Sequence, residues 1–243
     1  VTAVTVQNSL GVTGIVEIPP ATVADQVRAV ATDIGVAAAK TGMLASAAII
    51  SAVTQVCDEV GIGGSTPLVV DPVAASMHGD SLLAVDALAT MRSELLPRAT
   101  LVTPNLDEVC LLVGMEVRSR PDQYEAARAL HALGPRWVLV KGGHLRGDPE
   151  CLDLLYDGTE FTAFTSPRLT TPHTHGGGDT LAAAITSALA RGSEVPQAVG
   201  YGKRYIEQAV AHAYPLGAGV GPVSPFWRLC RDNTESSHGN LIT

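Results

Sequence analysis

The chain predicts an α/β fold of three layers, with helices on both faces of a mostly parallel central sheet. Three observations carry that expectation. Short apolar runs alternate with longer stretches of helical spacing along most of the 243 residues. The runs, such as Leu68-Val69-Val70 and Val138-Leu139-Val140, are continuous rather than alternating, as strands buried on both faces are. The composition agrees: 46% hydrophobic and only 16% charged residues exclude disorder and suggest a core of Ala, Val and Leu.

In chain order, Val4 and Val6 alternate as an opening strand, and Val23, Val27, Val30 and Ile34 keep helical spacing. A short strand follows at 36–40, then a helix with Ile49, Ile50, Val53, Val56, Cys57 and Val60 on one face. Strands at 67–71 and 100–104 bracket a helix over 81–96, and helices are expected at 105–113 and 122–133. A strand at 136–141 precedes a β-hairpin over 151–164 that turns at Asp157 and Gly158. Leu181, Ile185, Ala188 and Leu189 mark a further amphipathic helix. Beyond Tyr214 the chain is rich in Gly, Pro and Ser, so residues 1–243 read as one domain with 225–243 as a tail.

A formal net charge of −8 without clustered Lys or Arg argues against nucleic acid as a partner. No apolar run approaches the length of a bilayer span, so no membrane partner is expected. Cys57, Cys110, Cys151 and Cys230 are far apart and form no C-x-x-C pair, which suggests neither zinc nor a disulfide scaffold and fits a reducing, cytoplasmic compartment. The chain opens directly on a strand pattern without an initiating Met, so earlier residues are expected outside this sequence.

In parallel α/β sheets ligands bind beyond the carboxyl ends of the strands. Polar groups follow each expected strand: Gln7-Asn8, Lys40-Thr41-Gly42-Met43, Asp71-Pro72, Thr103 to Glu108, and Lys141-Gly142-Gly143. Five such turns on one edge look like the floor of a site. Gly176-Gly177-Gly178 then precede Asp179 and a helix, so bare backbone amides and a helix N-terminus could converge on an anion. Plainer readings stand beside these. Asn105 and Glu108 have capping-box spacing, Asp179 could be an ordinary N-cap, and Met43 could be core filler. A P-loop is excluded near Lys40 because Ala39 stands where that motif needs Gly, and Gly217-Ala218-Gly219 lacks the strand and helix of a dinucleotide site.

Taken together, "VTAVTVQNSLGV", "DIGVAAAKTGML", "VVDPV", "TPNLDE", "VLVKGGH" and "HGGGDTLAAAI" resemble, in order and spacing, the hydroxymethylpyrimidine and phosphomethylpyrimidine kinases of the ribokinase-like family. The resemblance runs from Val1 to about Ser224. It implies a kinase using ATP and Mg²⁺ on a small hydroxymethylpyrimidine or its phosphate, and is compatible with a homodimer. Gln7 and Met43 match residues lining the pyrimidine pocket. Asp71, Asn105 and Glu108 match polar groups near the nucleotide phosphates, with Asp71 and Glu108 on the metal side. Lys141 matches the lysine on the transferring phosphate, and Gly176, Gly177 and Gly178 match the anion hole that stabilises charge on it. Asp179 would be the catalytic base. Many relatives carry cysteine there, and Asp is typical of sugar and pyridoxal kinases, which keeps pyridoxal kinase as an alternative. A non-catalytic vitamer- or nucleotide-binding protein is the other. The first strand and glycine-rich turn that such kinases place ahead of the segment equivalent to Val1, with part of the substrate pocket, are not in this sequence.

Overall fold

The computed structural model describes residues 1–74, 83, 85–143, 145 and 150–229. A six-stranded sheet runs β3 (Ala39–Thr41), β4 (Leu68–Val70), β5 (Leu101–Val102), β6 (Trp137–Lys141), β7 (Glu150–Tyr156) and β8 (Phe161–Pro167), with strand neighbours in sequence order. The first four are parallel; β7 and β8 join as the expected antiparallel hairpin. Side chains alternate between two cores. Leu68, Val70, Val102, Val138 and Val140 pack with α2 (Ala47–Val60), α4 (Leu106–Val113) and α5 (Arg120–His131). Val69, Leu101, Leu139 and Leu155 pack with α6 (Gly177–Ala190) and α7 (Val195–Ala211) on the opposite face. Both faces are covered, which is why the strands read as continuous apolar runs.

Four differences from the sequence expectation have physical causes. The opening strand β1 (Ala3–Asn8) does not enter the sheet but pairs antiparallel with β2 (Gly11–Glu17) as a separate ribbon, leaving Val4 and Val6 more than half exposed. α1 (Pro20–Asp33) forms, yet Val30 and Ile34 at its far end are exposed, because only its Val23 end meets the core. The helix expected over 81–96 lies partly outside the described residues. Its described part is α3 (Val85–Thr90), then a π-helical segment Met91–Leu95 and a 3₁₀ turn Leu96–Arg98 that carries Pro97, which cannot donate a further helical bond. α7 was not expected at all. The tail over 230–243 lies outside the described residues.

Among the described residues no helix is long and apolar enough to cross a membrane. Cys57, Cys110 and Cys151 are free thiols; burial pushes that of Cys57 up to about 11.

Candidate active site

Four of the five polar turns lie side by side, because β3, β4, β5 and β6 are parallel neighbours and their carboxyl ends share one edge. Backbone pairing continues past the strands: the amide of Asp71 bonds to Thr41 O, that of Thr103 to Val70 O, and that of Lys141 to Pro104 O. The polar side chains are thus mounted on sheet backbone rather than on free loops. The fifth turn, Gln7-Asn8, is corrected: it lies on the exposed ribbon, because β1 finds its ladder partner in β2.

The centre is a buried charge cluster. Lys141 Nζ lies 3.0 Å from Asp71 Oδ1 and 3.8 Å from Glu108 Oε2. The Asp71 side chain is 2% exposed and also accepts a hydrogen bond from Thr103 Oγ1 at 3.1 Å. Burial works against the Lys141 ammonium, but the Asp71 and Glu108 carboxylates beside it raise its pKa above the ordinary lysine value. It is a fixed cation. Burial dominates for Glu108 and pushes its carboxyl from an ordinary 4.5 up to about 7, against the pull of Lys141.

Glu108 does two things at once. The capping box expected at the start of α4 is present: Asn105 Oδ1 accepts from the Glu108 amide at 2.8 Å, and Glu108 Oε2 accepts from the Asn105 amide at 2.7 Å. The same Oε2 faces Lys141. Because the folded chain holds the Glu108 proton more tightly than the unfolded chain, it binds more protons between pH 4.5 and about 7, and this group's contribution to stability falls as pH rises through that window. The full loss is on the order of 3 kcal/mol. Glu108→Gln keeps an oxygen for the cap and should flatten that pH dependence in denaturant titrations; an unchanged slope would put Glu108 at an ordinary pKa.

The glycines begin α6, which packs over β3 and β4 so that its N-terminus meets the carboxyl edge. The N-cap is Gly176, at φ 77°, a left-handed backbone suited to glycine. Asp179 is therefore inside the first turn, and the alternative reading of it as an ordinary N-cap does not hold: the helix starts three residues earlier. The Gly177 amide is taken by Thr174 O and that of Thr180 by Gly176 O. The amides of Gly176, Gly178 and Asp179 find no acceptor among the described residues. A Cβ on Gly178 would sit 3.3 Å from Lys141 Nζ and 3.5 Å from Asp71 Oδ2, so this turn of the helix lies directly against the cation and the carboxylate, with little room for a side chain.

The Asp179 side chain is 70% exposed and pairs with Lys40 Nζ at 2.6 Å. Lys40 and Thr103 were seen in the sequence only as parts of strand-end turns, without these partners. A signal was available: the chain has three lysines, Lys40, Lys141 and Lys203, and each forms an ion pair with a carboxylate. Met43 is half-buried against the sheet core, and its carbonyl accepts from Thr2 Oγ1 at 2.7 Å. Glu17 bonds Ser46 Oγ at 2.7 Å, and at the ribbon tip Ser9 O accepts from the Val220 amide. The loop carrying Val220 is in turn paired to the glycine turn, through His175 N to Gly221 O and Val223 N to His175 O. Gln7 therefore lies on a ribbon tied down at the Met43 turn and toward the glycine turn, not on the sheet edge.

Asp71 and Glu108 have the chemistry to hold a magnesium ion: two carboxylates lie near one another, at 3.0 and 3.8 Å from Lys141 Nζ, which takes the point between them in this structure. Mg²⁺ is commonly held by one or two carboxylates, with phosphate and water completing its shell. Among the described residues no group of three or more His, Cys, Asp or Glu side chains gathers as a larger metal site.

Comparison with known proteins identifies the family and the fold. The family model described as phosphomethylpyrimidine kinase matches residues 1–224. A hydroxymethylpyrimidine/phosphomethylpyrimidine kinase of Mycobacterium leprae is 57% identical over 232 residues, covering 94% of this chain and 82% of that protein. Among solved structures, an ADP complex of Bacillus subtilis pyridoxal kinase superposes with a TM-score of 0.83 at 34% identity, covering 91% of this chain and 82% of that one. A phosphomethylpyrimidine kinase from Clostridium difficile gives 0.74 at 34% identity, covering 86% and 84%.

Proposed function

Because the chain belongs to the phosphomethylpyrimidine kinase family, we propose that it transfers the γ-phosphoryl group of ATP to the hydroxymethyl oxygen of 4-amino-5-hydroxymethyl-2-methylpyrimidine, and then a second one to the resulting monophosphate. The observation that carries this reading is the approach of the α6 amides to Lys141 and Asp71 across Gly178. Phosphoryl transfer needs little covalent help from a protein; it needs positioning and charge stabilisation. The amides of Gly178 and Asp179, without acceptors among the described residues, and the fixed Lys141 cation beside Gly178 support a γ-phosphoryl seat at this helix N-terminus.

In the first step the hydroxymethyl oxygen forms a bond to Pγ while the bond from Pγ to the β–γ bridging oxygen breaks and ADP leaves. Asp179 accepts the hydroxyl proton, and its ion pair with Lys40 holds the carboxylate in place beforehand. Lys141 holds the charge on the transferring group. Asp71 and Glu108 would hold Mg²⁺, which supplies Lewis-acid neutralisation of the phosphate charge. Gln7 and Met43 are the substrate contacts in this reading; the ribbon is anchored to the Met43 turn through Thr2, while Gln7 lies exposed near its tip. A cytoplasmic setting fits the free thiols of Cys57, Cys110 and Cys151.

The superposition on a pyridoxal kinase and the acid at Asp179 make a pyridoxal kinase the alternative reading. ADP release measured with hydroxymethylpyrimidine, its monophosphate, pyridoxal and ribose separates the readings. The expected result is the highest kcat/KM with the pyrimidines. A preference for pyridoxal would overturn the substrate assignment, and no turnover above ATP hydrolysis with any of them would overturn the kinase reading.

A further inference from the structure

Lys203 is a cation in an apolar place. It lies on the inner face of α7 with Ala198, Val199 and Ala209, and its residue is only 8% exposed. Its Nζ reaches Asp153 Oδ2 at 2.7 Å and Cys151 O at 3.2 Å, and Asp153 is itself 6% exposed. Such a pair is a poor device for stability, because removing two charges from water costs about what their attraction returns, and apolar replacements are often neutral or better. What Asp153 holds with its other oxygen is more informative. Oδ1 accepts the Gly142 amide at 3.0 Å, the first amide after Lys141.

This is the point where β6 leaves the ladder. Lys141 is the last residue in register with β7, opposite Asp153. Gly142 then runs so close to the neighbouring strand that a Cβ would fall 2.0 Å from Leu152 O and 2.7 Å from Gln123 Nε2. Leu152 O is taken by Gln123 Nε2 at 3.1 Å. The Gly142 amide is left to a side chain rather than to the ladder, and Asp153 is that side chain. With the Lys141 amide bonded to Pro104 O at 2.9 Å, the backbone is pinned on both sides of the Lys141 side chain.

We infer that Asp153, held in place by Lys203, is a positioning residue that fixes the backbone carrying Lys141 and so sets where its ammonium meets the transferring phosphoryl. The inference rests on the kinase reading above for its consequence in turnover, but its structural half stands alone. Asp153→Asn/Lys203→Met and Asp153→Leu/Lys203→Met are both uncharged and branch at the same carbon of residue 153, leucine being the larger. They differ mainly in whether an oxygen remains for the Gly142 amide; leaving that buried amide unpaired should also lower the melting temperature of the Leu/Met variant, so both are assayed well below their transitions. Small misplacements of a reacting geometry cost up to roughly 100-fold in rate, so the Leu/Met variant should show kcat about tenfold or more below the Asn/Met variant, with KM for ATP nearly equal. Hydrogen exchange at the Gly142 amide should be slow in the Asn/Met variant and fast in the Leu/Met variant. Equal exchange, or equal kcat with both variants folded, would overturn the inference. If the unmodified chain turned over no substrate, the kinase reading would fail, and the exchange measurement would still decide whether Asp153 pins this backbone.

Discussion

Asp179→Asn is expected to lose turnover by about 10²- to 10⁴-fold, the usual contribution of a general base, while its melting temperature changes little. Two structural facts make the separation clean. Asp179 is not the N-cap of α6, so its replacement removes no capping bond. Its ion pair with Lys40, the only one it makes among the described residues, is exposed, 70% on the aspartate side, and pairs of that kind are worth roughly 0–1 kcal/mol. The favourable interaction of a carboxylate with the helix N-terminus adds about 0.3–1 kcal/mol, a small loss beside the effect on rate. Steady-state kinetics and thermal melts on the same preparations check the split. Near-normal turnover in the asparagine variant would leave Asp179 as a partner of Lys40 and nothing more.

Lys141→Met should lower kcat by about 10²- to 10³-fold, the range seen when one donor to a developing charge is removed. It should also destabilise the chain, unlike Asp179→Asn, because Asp71 is left as a buried carboxylate with Thr103 as its remaining side-chain partner among the described residues, and breaking a buried pair costs on the order of 3–5 kcal/mol. Lys141→Arg keeps the charge and isolates the geometry. A guanidinium fork cannot occupy the ammonium's place beside Gly178, so turnover should still fall more than tenfold while stability recovers in part. Denaturant titration and kcat with KM for ATP are the measurements. A change confined to KM would make Lys141 a ground-state phosphate clamp.

The sheet and most of its helices were legible because burial on both faces leaves a strong local pattern. Strands at Leu68–Val70 and Trp137–Lys141 and the helix of Ala47–Val60 fall where apolar spacing puts them. α7 was not legible for a reason visible in its inner face, which carries Gly200, Gly202 and Lys203 among the buried positions. A Cβ at Gly202 would lie 2.6 Å from Ile185 Cγ1, so close packing against α6 needs glycine there, and the apolar period is erased. The ribbon shows the converse limit. Val4 and Val6 announce a strand, but which strand pairs with it is a long-range choice, and both side chains end up facing outward.

At the site, the individual turns were legible and their pairings were not. Nothing in "KTGM" says that Lys40 will meet Asp179, 139 residues away. Nor does the glycine run itself say where its helix begins, since Gly177 and Gly178 lie within α6 although local propensity disfavours them. Tertiary contact decides that boundary: Gly178 stays bare because Lys141 and Asp71 are against it.

The central claim, that the γ-phosphoryl is held between Lys141 and the α6 amides, is tested most directly by a crystal structure of the chain with AMP-PCP, Mg²⁺ and hydroxymethylpyrimidine. The terminal phosphonate oxygens should lie within about 3 Å of Lys141 Nζ and of the Gly178 and Asp179 amides, with the hydroxymethyl oxygen beside the Asp179 carboxylate. A triphosphate bound away from these groups, with Lys141 still closed on Asp71 and the α6 amides facing water, would contradict it.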